Sequence, residues 1–233
     1  NGTRGYAYAG EVGTMDSSEN PRFQKFMKIA DSFRKLGVRA NADTPADAQR
    51  AREFGAEGIG LFRTEHMFYG KGAEKPLFAL RKMILSGSKA ERRKAVDELF
   101  PFVKKDIKAT LESMNGLPVT VRLLDPPLHE FIPHSRDQQL EISKALKISH
   151  DEFRKRADSL KESNPMMGHR GVRLGVTYPE VTEMQVRAIL ESAAELIKAK
   201  KKCKPEIMIP VTCDPNELRN QKAIVERVAE EVR

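Results

Sequence analysis

Residues 119–134 read VTVRLLDPPLHEFIPH. The run opens on apolar and β-branched residues and reads as a buried strand over 119–124. Arg122 and Asp125 come near its end. Pro126 and Pro127 then stop it, because proline cannot donate a ladder hydrogen bond and biases the preceding residue away from helix. A guanidinium inside an apolar strand is costly unless it meets an anion. A strand that ends by presenting a cation and a carboxylate to a stiff loop therefore has the makings of a site.

Residues 1–13 (NGTRGYAYAGEVG) alternate Tyr6 and Tyr8 between glycines and suggest a short strand or hairpin. A helix is expected over 21–36, with Pro21 in its first turn, Phe23, Phe26, Met27, Ile29, Ala30 and Phe33 at helical spacing, and Gly37 as its stop. Residues 38–42 read as a strand. Thr44-Pro45 then opens a helix that Gly55 closes, and 58–62 is the next strand. Residues 75–114 carry a charged helical pattern with a kink or break expected near Pro101; Ser88 and Glu91 have capping-box spacing for its second part. After the 119–124 strand, residues 134–163 read as an inserted helical excursion, with Ser149 and Glu152 again at capping-box spacing. The helix over 179–202 has Val181, Met184, Val186, Ile189, Leu190, Ala193, Leu196 and Ile197 as its apolar stripe; a fifth strand over 206–211 and a last helix over 215–233 follow.

Strands alternating with crossovers of a dozen residues or more require a parallel sheet covered by helices. A doubly wound sheet and a TIM barrel both satisfy this pattern. A barrel needs eight units in about 250 residues. About five units with one insertion in 233 residues imply an α/β fold that is a partial TIM (β/α)8 barrel, its first five βα units.

The net charge of +8 admits nucleic acid, an acidic surface or small anionic substrates as partners. The densest basic run, KAKKKCK at 198–204, closes a helical pattern and reads as a solvated helix end, where the helix dipole favours cations. Aromatic residues are scarce and not interleaved with these lysines, which weakens a single-strand-binding reading. A basic interaction module without catalysis is the alternative of another class. No apolar run is long enough to cross a bilayer, and no signal peptide opens the sequence. Cys203 and Cys213 show no paired metal-ligand pattern and suit a reducing compartment, so the expectation is cytoplasmic, or within a plastid or glycosome.

Three segments place arginine at or just past a strand's C-terminal end: Arg63, Arg122, and Arg170 with Arg173. In parallel α/β folds ligands sit at that end of the sheet. Guanidinium groups bind phosphate and carboxylate bidentately and stay charged, so their convergence suits a small, densely charged anion. Asp125 either holds an arginine in place or caps the strand. His66, His129 and His169 read as packed, hydrogen-bonded histidines before acid–base groups. Asp125, His129 and Ser135 have no hydrolase-triad spacing, and Gly55, Gly58 and Gly60 fit no phosphate loop.

GIGLFRTEHMFY (58–69), VRLLDPPLHEFIP (121–133), NPMMGHRGVRLG (164–175) and EIMIPV (206–211) together resemble the pyruvate phosphate dikinase family. Phosphoenolpyruvate synthase and enzyme I of the sugar phosphotransferase system share the arginine-bearing strands and are the nearer alternatives, while DPPLHEF resembles the dikinases specifically. The resemblance implies a transferase that interconverts ATP, phosphate and pyruvate with AMP, pyrophosphate and phosphoenolpyruvate. Residues 1–19 would be the tail of a swivelling phosphohistidine domain and its linker. Residues 20–233 would be the N-terminal portion of the phosphoenolpyruvate/pyruvate-binding barrel. It further implies that Arg63, Arg122 and Arg170 bind the substrate's phosphate and carboxylate, with Asp125 supporting them. The family's Mg2+ ligands and catalytic cysteine belong to later segments, so no catalytic or metal-binding residue is carried over and Cys203 and Cys213 receive no role. The implied partners are phosphoenolpyruvate or pyruvate, the phosphohistidine domain of the same polypeptide, and a second copy in a full-length homodimer, with no nucleic acid and no membrane. A fragment carrying only the substrate anchors is expected to be inactive alone.

Overall fold

A computed structural model describes residues 5, 9–13, 16–70 and 72–233. The chain divides into two units, Asn1–Val38 and Arg39–Arg233. In the first, α1 (Pro21–Phe33) starts where the Asn20 side chain accepts from the Arg22 backbone N–H at 3.0 Å, with Pro21 at the first helical position. It ends at Phe33, short of the expected Gly37 stop, because Arg34 turns to extended backbone and its side chain bonds Asp31 at 2.6 Å. No residue of α1 is buried. The strand expected around Tyr6 and Tyr8 lies outside the described residues.

The second unit carries β1 (Ala40–Ala42), α2 (Pro45–Glu53), β2 (Ile59–Arg63), α3 (Glu74–Leu85), α4 (Lys89–Ser113) and β3 (Pro118–Arg122). It continues through α5 (Arg136–Leu146), α6 (His150–Ser159), α7 (Val172–Thr177), α8 (Pro179–Lys198), β4 (Lys204–Met208) and α9 (Pro215–Val232). The strands form one parallel sheet in the order β1-β2-β3-β4. The strand expected as the fifth is thus the fourth among the described residues. Residues 165–177 form a 3₁₀ turn and the short α7, so Arg170 and Arg173, expected at a strand's end, follow a turn instead.

Val119 and Val121 are fully buried and alternate with half-buried Thr120 and Arg122, so the apolar side of β3 faces the core and its polar side the opposite face. Consecutive crossover helices pack in a row: α2 on α4, α4 on α8 and α8 on α9. On the other face, Glu206 of β4 accepts from Thr120 of β3 at 2.7 Å and from the guanidinium of Arg39, just before β1, at 2.6 Å.

Two helix expectations are corrected. The long helical region breaks at residues 86–88, where Ser88 caps α4 by accepting from the Glu91 N–H at 3.2 Å, and not at Pro101. Helix α4 runs through Pro101 because that residue and Asp97, whose carbonyl it leaves unbonded, lie on the solvent side. The opposite stripe of Leu99, Val103 and Ile107 is buried. In the expected α8 stripe, Val181, Met184, Val186, Ile189, Ala193 and Leu196 are buried, but Ile197 is exposed. The insertion resolves into α5 and α6, the latter capped by Ser149 on the Glu152 N–H at 3.1 Å. The lysine run follows the end of α8, and Lys201 pairs with Glu112.

Candidate functional site

The C-terminal ends of β1, β2 and β3 bring together ionic groups from segments far apart in the chain. Arg63 closes β2 and is the register partner of Arg122, which closes β3, so both leave the same face of the sheet. The Arg63 guanidinium donates to Asp43, just past β1, at 2.9 Å, and His66 Nδ1 lies 3.3 Å from the other Asp43 oxygen. Arg122 is held between two buried carboxylates, Glu65 and Asp125, the latter at 2.9 Å. Arg170, from the turn before α7, donates to the same Asp125 oxygen at 2.7 Å and to the Asp125 backbone carbonyl at 3.0 Å. Its remaining amino group contacts the Met166 sulfur at 3.2 Å.

Arg122, Asp125 and Arg170 thus meet as the sequence predicts, and Asp125 is the shared anchor of both arginines rather than a strand cap. Arg63 stands in the neighbouring register position with its own carboxylate partner. Arg173 does not join them: it braces the preceding turn, donating to the carbonyls of Met167 and Gly168 at 2.5 and 2.6 Å. His129 lies in a 3₁₀ turn after the proline pair. His169 packs edge-on against Tyr178 at 5.4 Å, and burial holds its imidazole below the ordinary histidine range, opposed by the charge of Glu162 and aided by the smaller effect of Arg92.

The backbone around Arg170 is set by Gly171, at φ 56° and ψ −130°, a conformation that L side chains rarely adopt. A Cβ there would lie 3.0 Å from the Pro210 carbonyl oxygen and 3.1 Å from Asp125 Oδ1. The glycine thus lets the chain pass between Asp125 and the end of β4, where Val172 N–H bonds Pro210 at 2.9 Å.

Three buried polar atoms in this network have no hydrogen-bond partner among the described residues: Arg122 Nε, Glu65 Oε2 and Asp125 Oδ1. Such atoms are costly unless something pairs with them, so the cluster has unused capacity at its centre. Among the described residues no group of three His, Cys, Asp or Glu side chains is placed to hold a metal ion. The strand-end carboxylates Asp43, Glu65 and Asp125 are engaged by arginine instead. These residues do not fit a Mg2+ site.

Sequence reasoning passed over Asp43, Thr64 and Gln185. Thr64 and Gln185 are 2% and 4% exposed, and they bridge the ends of β2 and β3. The available signal for Gln185 was its spacing: it stands four residues from both Val181 and Ile189, on the apolar face of α8.

The parallel sheet, with half-buried arginines and carboxylates gathered at its strand ends, defines an α/β domain, and residues 17–233 match the family described as PEP-utilising enzyme, PEP-binding domain. The chain belongs to that family. It is 48% identical over 232 residues to pyruvate, phosphate dikinase of Giardia intestinalis, covering 100% of this chain and 26% of the relative. It is 48% identical over 233 residues to pyruvate, phosphate dikinase of Clostridium symbiosum, again covering 100% and 26%. Against the chloroplastic pyruvate, phosphate dikinase of Mesembryanthemum crystallinum it is 44% identical over 234 residues, covering 100% and 24%. The chain therefore spans about a quarter of the length of the curated relatives it matches. Among the described residues, no helix is long and apolar enough to cross a membrane.

Proposed function

We propose that the strand-end cluster binds phosphoenolpyruvate and the enolate of pyruvate, and that the chain is the phosphoenolpyruvate-binding portion of a pyruvate, phosphate dikinase. The observation that carries this reading is Arg122, held between Glu65 and Asp125 with its buried Nε–H unpaired, beside Arg170 on the same carboxylate. A phosphate or carboxylate oxygen is the partner that this donor lacks. Arg63 and Arg122 anchor the ligand's two anionic groups, Arg170 adds a third cation, and Asp125 keeps Arg122 and Arg170 together before the ligand arrives.

In this reading the reaction breaks a P–N bond on a phosphohistidine and forms a P–O bond to the enolate oxygen. Phosphoryl transfer relies on positioning and on neutralising charge over the moving group, and guanidiniums fixed by buried carboxylates supply both with little reorganisation. The fold is read as the leading part of a TIM barrel, with residues 20–233 as barrel and residues 1–19 as the end of a phosphohistidine domain. A sheet in unbroken chain order and crossover helices in one row support the barrel, since a doubly wound sheet reverses its strand order and places helices on both faces. The phosphohistidine domain as partner, the Mg2+ and the homodimer rest on the resemblance to the dikinases. The chain alone is read as binding the ligand without turning it over.

Titration calorimetry of the 233-residue chain with phosphoenolpyruvate tests the site. Arg63→Met, Arg122→Met and Arg170→Met are each expected to weaken binding by about tenfold or more, the scale of a lost charge-assisted hydrogen bond. Wild-type affinity in all three folded variants would overturn the assignment. Turnover of ATP, phosphate and pyruvate by this chain alone would overturn the reading that it binds without catalysing.

A further inference from the structure

The ends of β2 and β3 are joined by a buried polar relay that begins on a helix outside the sheet. Leu124 N–H donates to Gln185 Oε1 at 2.8 Å. Gln185 Nε2 donates to Thr64 Oγ1 at 3.1 Å, and Thr64 Oγ1 donates to the Arg122 carbonyl at 3.0 Å. The direction of this relay is forced. A backbone N–H can only donate, so the amide oxygen must face Leu124 and the amide nitrogen Thr64. With Thr64 accepting from the amide, its own hydrogen is left for the Arg122 carbonyl.

The three residues joined in this way sit between the ionic groups of the site. Thr64 separates Arg63 from Glu65, and residues 122 and 124 flank the stretch that leads into Asp125. One glutamine on α8 therefore ties the backbone of β3 to the side chain that follows β2. The salt bridge between Glu65 and Arg122 spans the same gap. We infer that Gln185 is a positioning residue: through Thr64 and Leu124 it sets the separation of the two strand ends, and hence where the Arg122 guanidinium stands relative to Arg63 and Asp125.

The alternative is a glutamine that satisfies two buried groups and supports folding only. That role would cost stability when removed but would leave the Arg122 guanidinium where it is in the folded molecules. The polarity of the relay separates the two roles. Gln185→Glu retains an acceptor for Leu124 N–H but has no donor for Thr64, whose hydroxyl then turns from the Arg122 carbonyl to the new carboxylate. Thr64→Val removes the middle of the relay and leaves Gln185 in place. Gln185→Leu removes both bonds at similar volume.

The ligand arm of the test rests on the phosphoenolpyruvate reading above; the resonance arm does not. The ¹⁵Nε resonance of Arg122 is assigned in the free 233-residue chain by its loss in Arg122→Met, and followed in Gln185→Glu, Thr64→Val and Gln185→Leu. The expected result is a shift or broadening of this signal in each folded variant, while the resonances of surface arginines stay in place. Phosphoenolpyruvate affinity by calorimetry is expected to fall about tenfold in Gln185→Leu and in Thr64→Val, with the double variant no weaker than either single one, as for residues in one relay. Should Gln185→Leu fail to fold, Gln185→Glu and Thr64→Val carry the test. An unmoved Arg122 signal in the folded variants, with reduced melting temperature, would overturn the positioning role. If the wild-type chain binds no phosphoenolpyruvate, the proposed function fails, and the Arg122 resonance still decides the role of Gln185.

Discussion

Replacing Asp125 by asparagine keeps the shape of the side chain and removes the charge shared by two arginines. The Asp125 side chain is 5% exposed, and the arginine side chains it holds are 17% exposed for Arg122 and 11% for Arg170. Removing one partner of a buried ion pair leaves an uncompensated charge and costs about 3–5 kcal/mol. Two features place this case toward the lower end. Arg122 keeps its second partner Glu65, and the asparagine carbonyl still accepts one hydrogen bond. The expected loss is therefore about 3 kcal/mol, well above the roughly 0–1 kcal/mol of an exposed pair. Urea unfolding followed by far-ultraviolet circular dichroism measures it as a lowered midpoint at an unchanged slope. Phosphate or phosphoenolpyruvate should restore more stability to the variant than to the wild type, because the anion replaces the missing charge. A loss below about 1 kcal/mol, with no added response to the anion, would refute the view that Asp125 offsets buried charge.

Gly171→Ala forces a side chain into a glycine conformation against Asp125 and Pro210; a loss of about 1–3 kcal/mol and weaker phosphoenolpyruvate binding are expected, read by denaturant titration and calorimetry. Glu180→Gln strips the buried partner 2.9 Å from Arg92, whose guanidinium also lies 3.6 Å from the Tyr178 ring, and should lower stability by about 3 kcal/mol in a thermal melt; an unchanged melt would contradict it. Burial raises the Asp106 carboxyl from 3.8 to about 6 despite the nearby Lys105. The folded chain then binds this proton more tightly than the unfolded one, so stability from this group falls as pH rises from about 4 to 6 and levels off above. Asp106→Asn should flatten that part of the stability profile, and an unaltered profile would rule the group out.

The alternation of apolar runs and amphipathic segments determined the parallel α/β architecture, because each segment's burial is written in its own period. The same local chemistry marked Thr44, Ser88 and Ser149 as helix starts, and all three side chains accept the expected backbone hydrogen bonds. Proline at position 101 does not break its helix; it lies on the exposed side, and that side is a tertiary fact. Arginine at the ends of β2 and β3 was legible as a pattern, and it is the ground of the ligand class proposed above; Arg170 comes instead from the turn before α7. Which carboxylate holds which arginine was not, since Asp125 meets Arg170 across 45 residues and Arg122 meets Glu65 across 57. Gln185 lay deeper still: a glutamine on an apolar helical face signals a buried partner, but only the packing of α8 on the sheet shows that it bridges two strand ends. Residues 119–134 thus announce a cation delivered by a strand, while the assembled sheet decides where its guanidinium stands and what holds it there. A side chain's hydrogen-bond partners are chosen by proximity in space, which the order of residues alone does not specify.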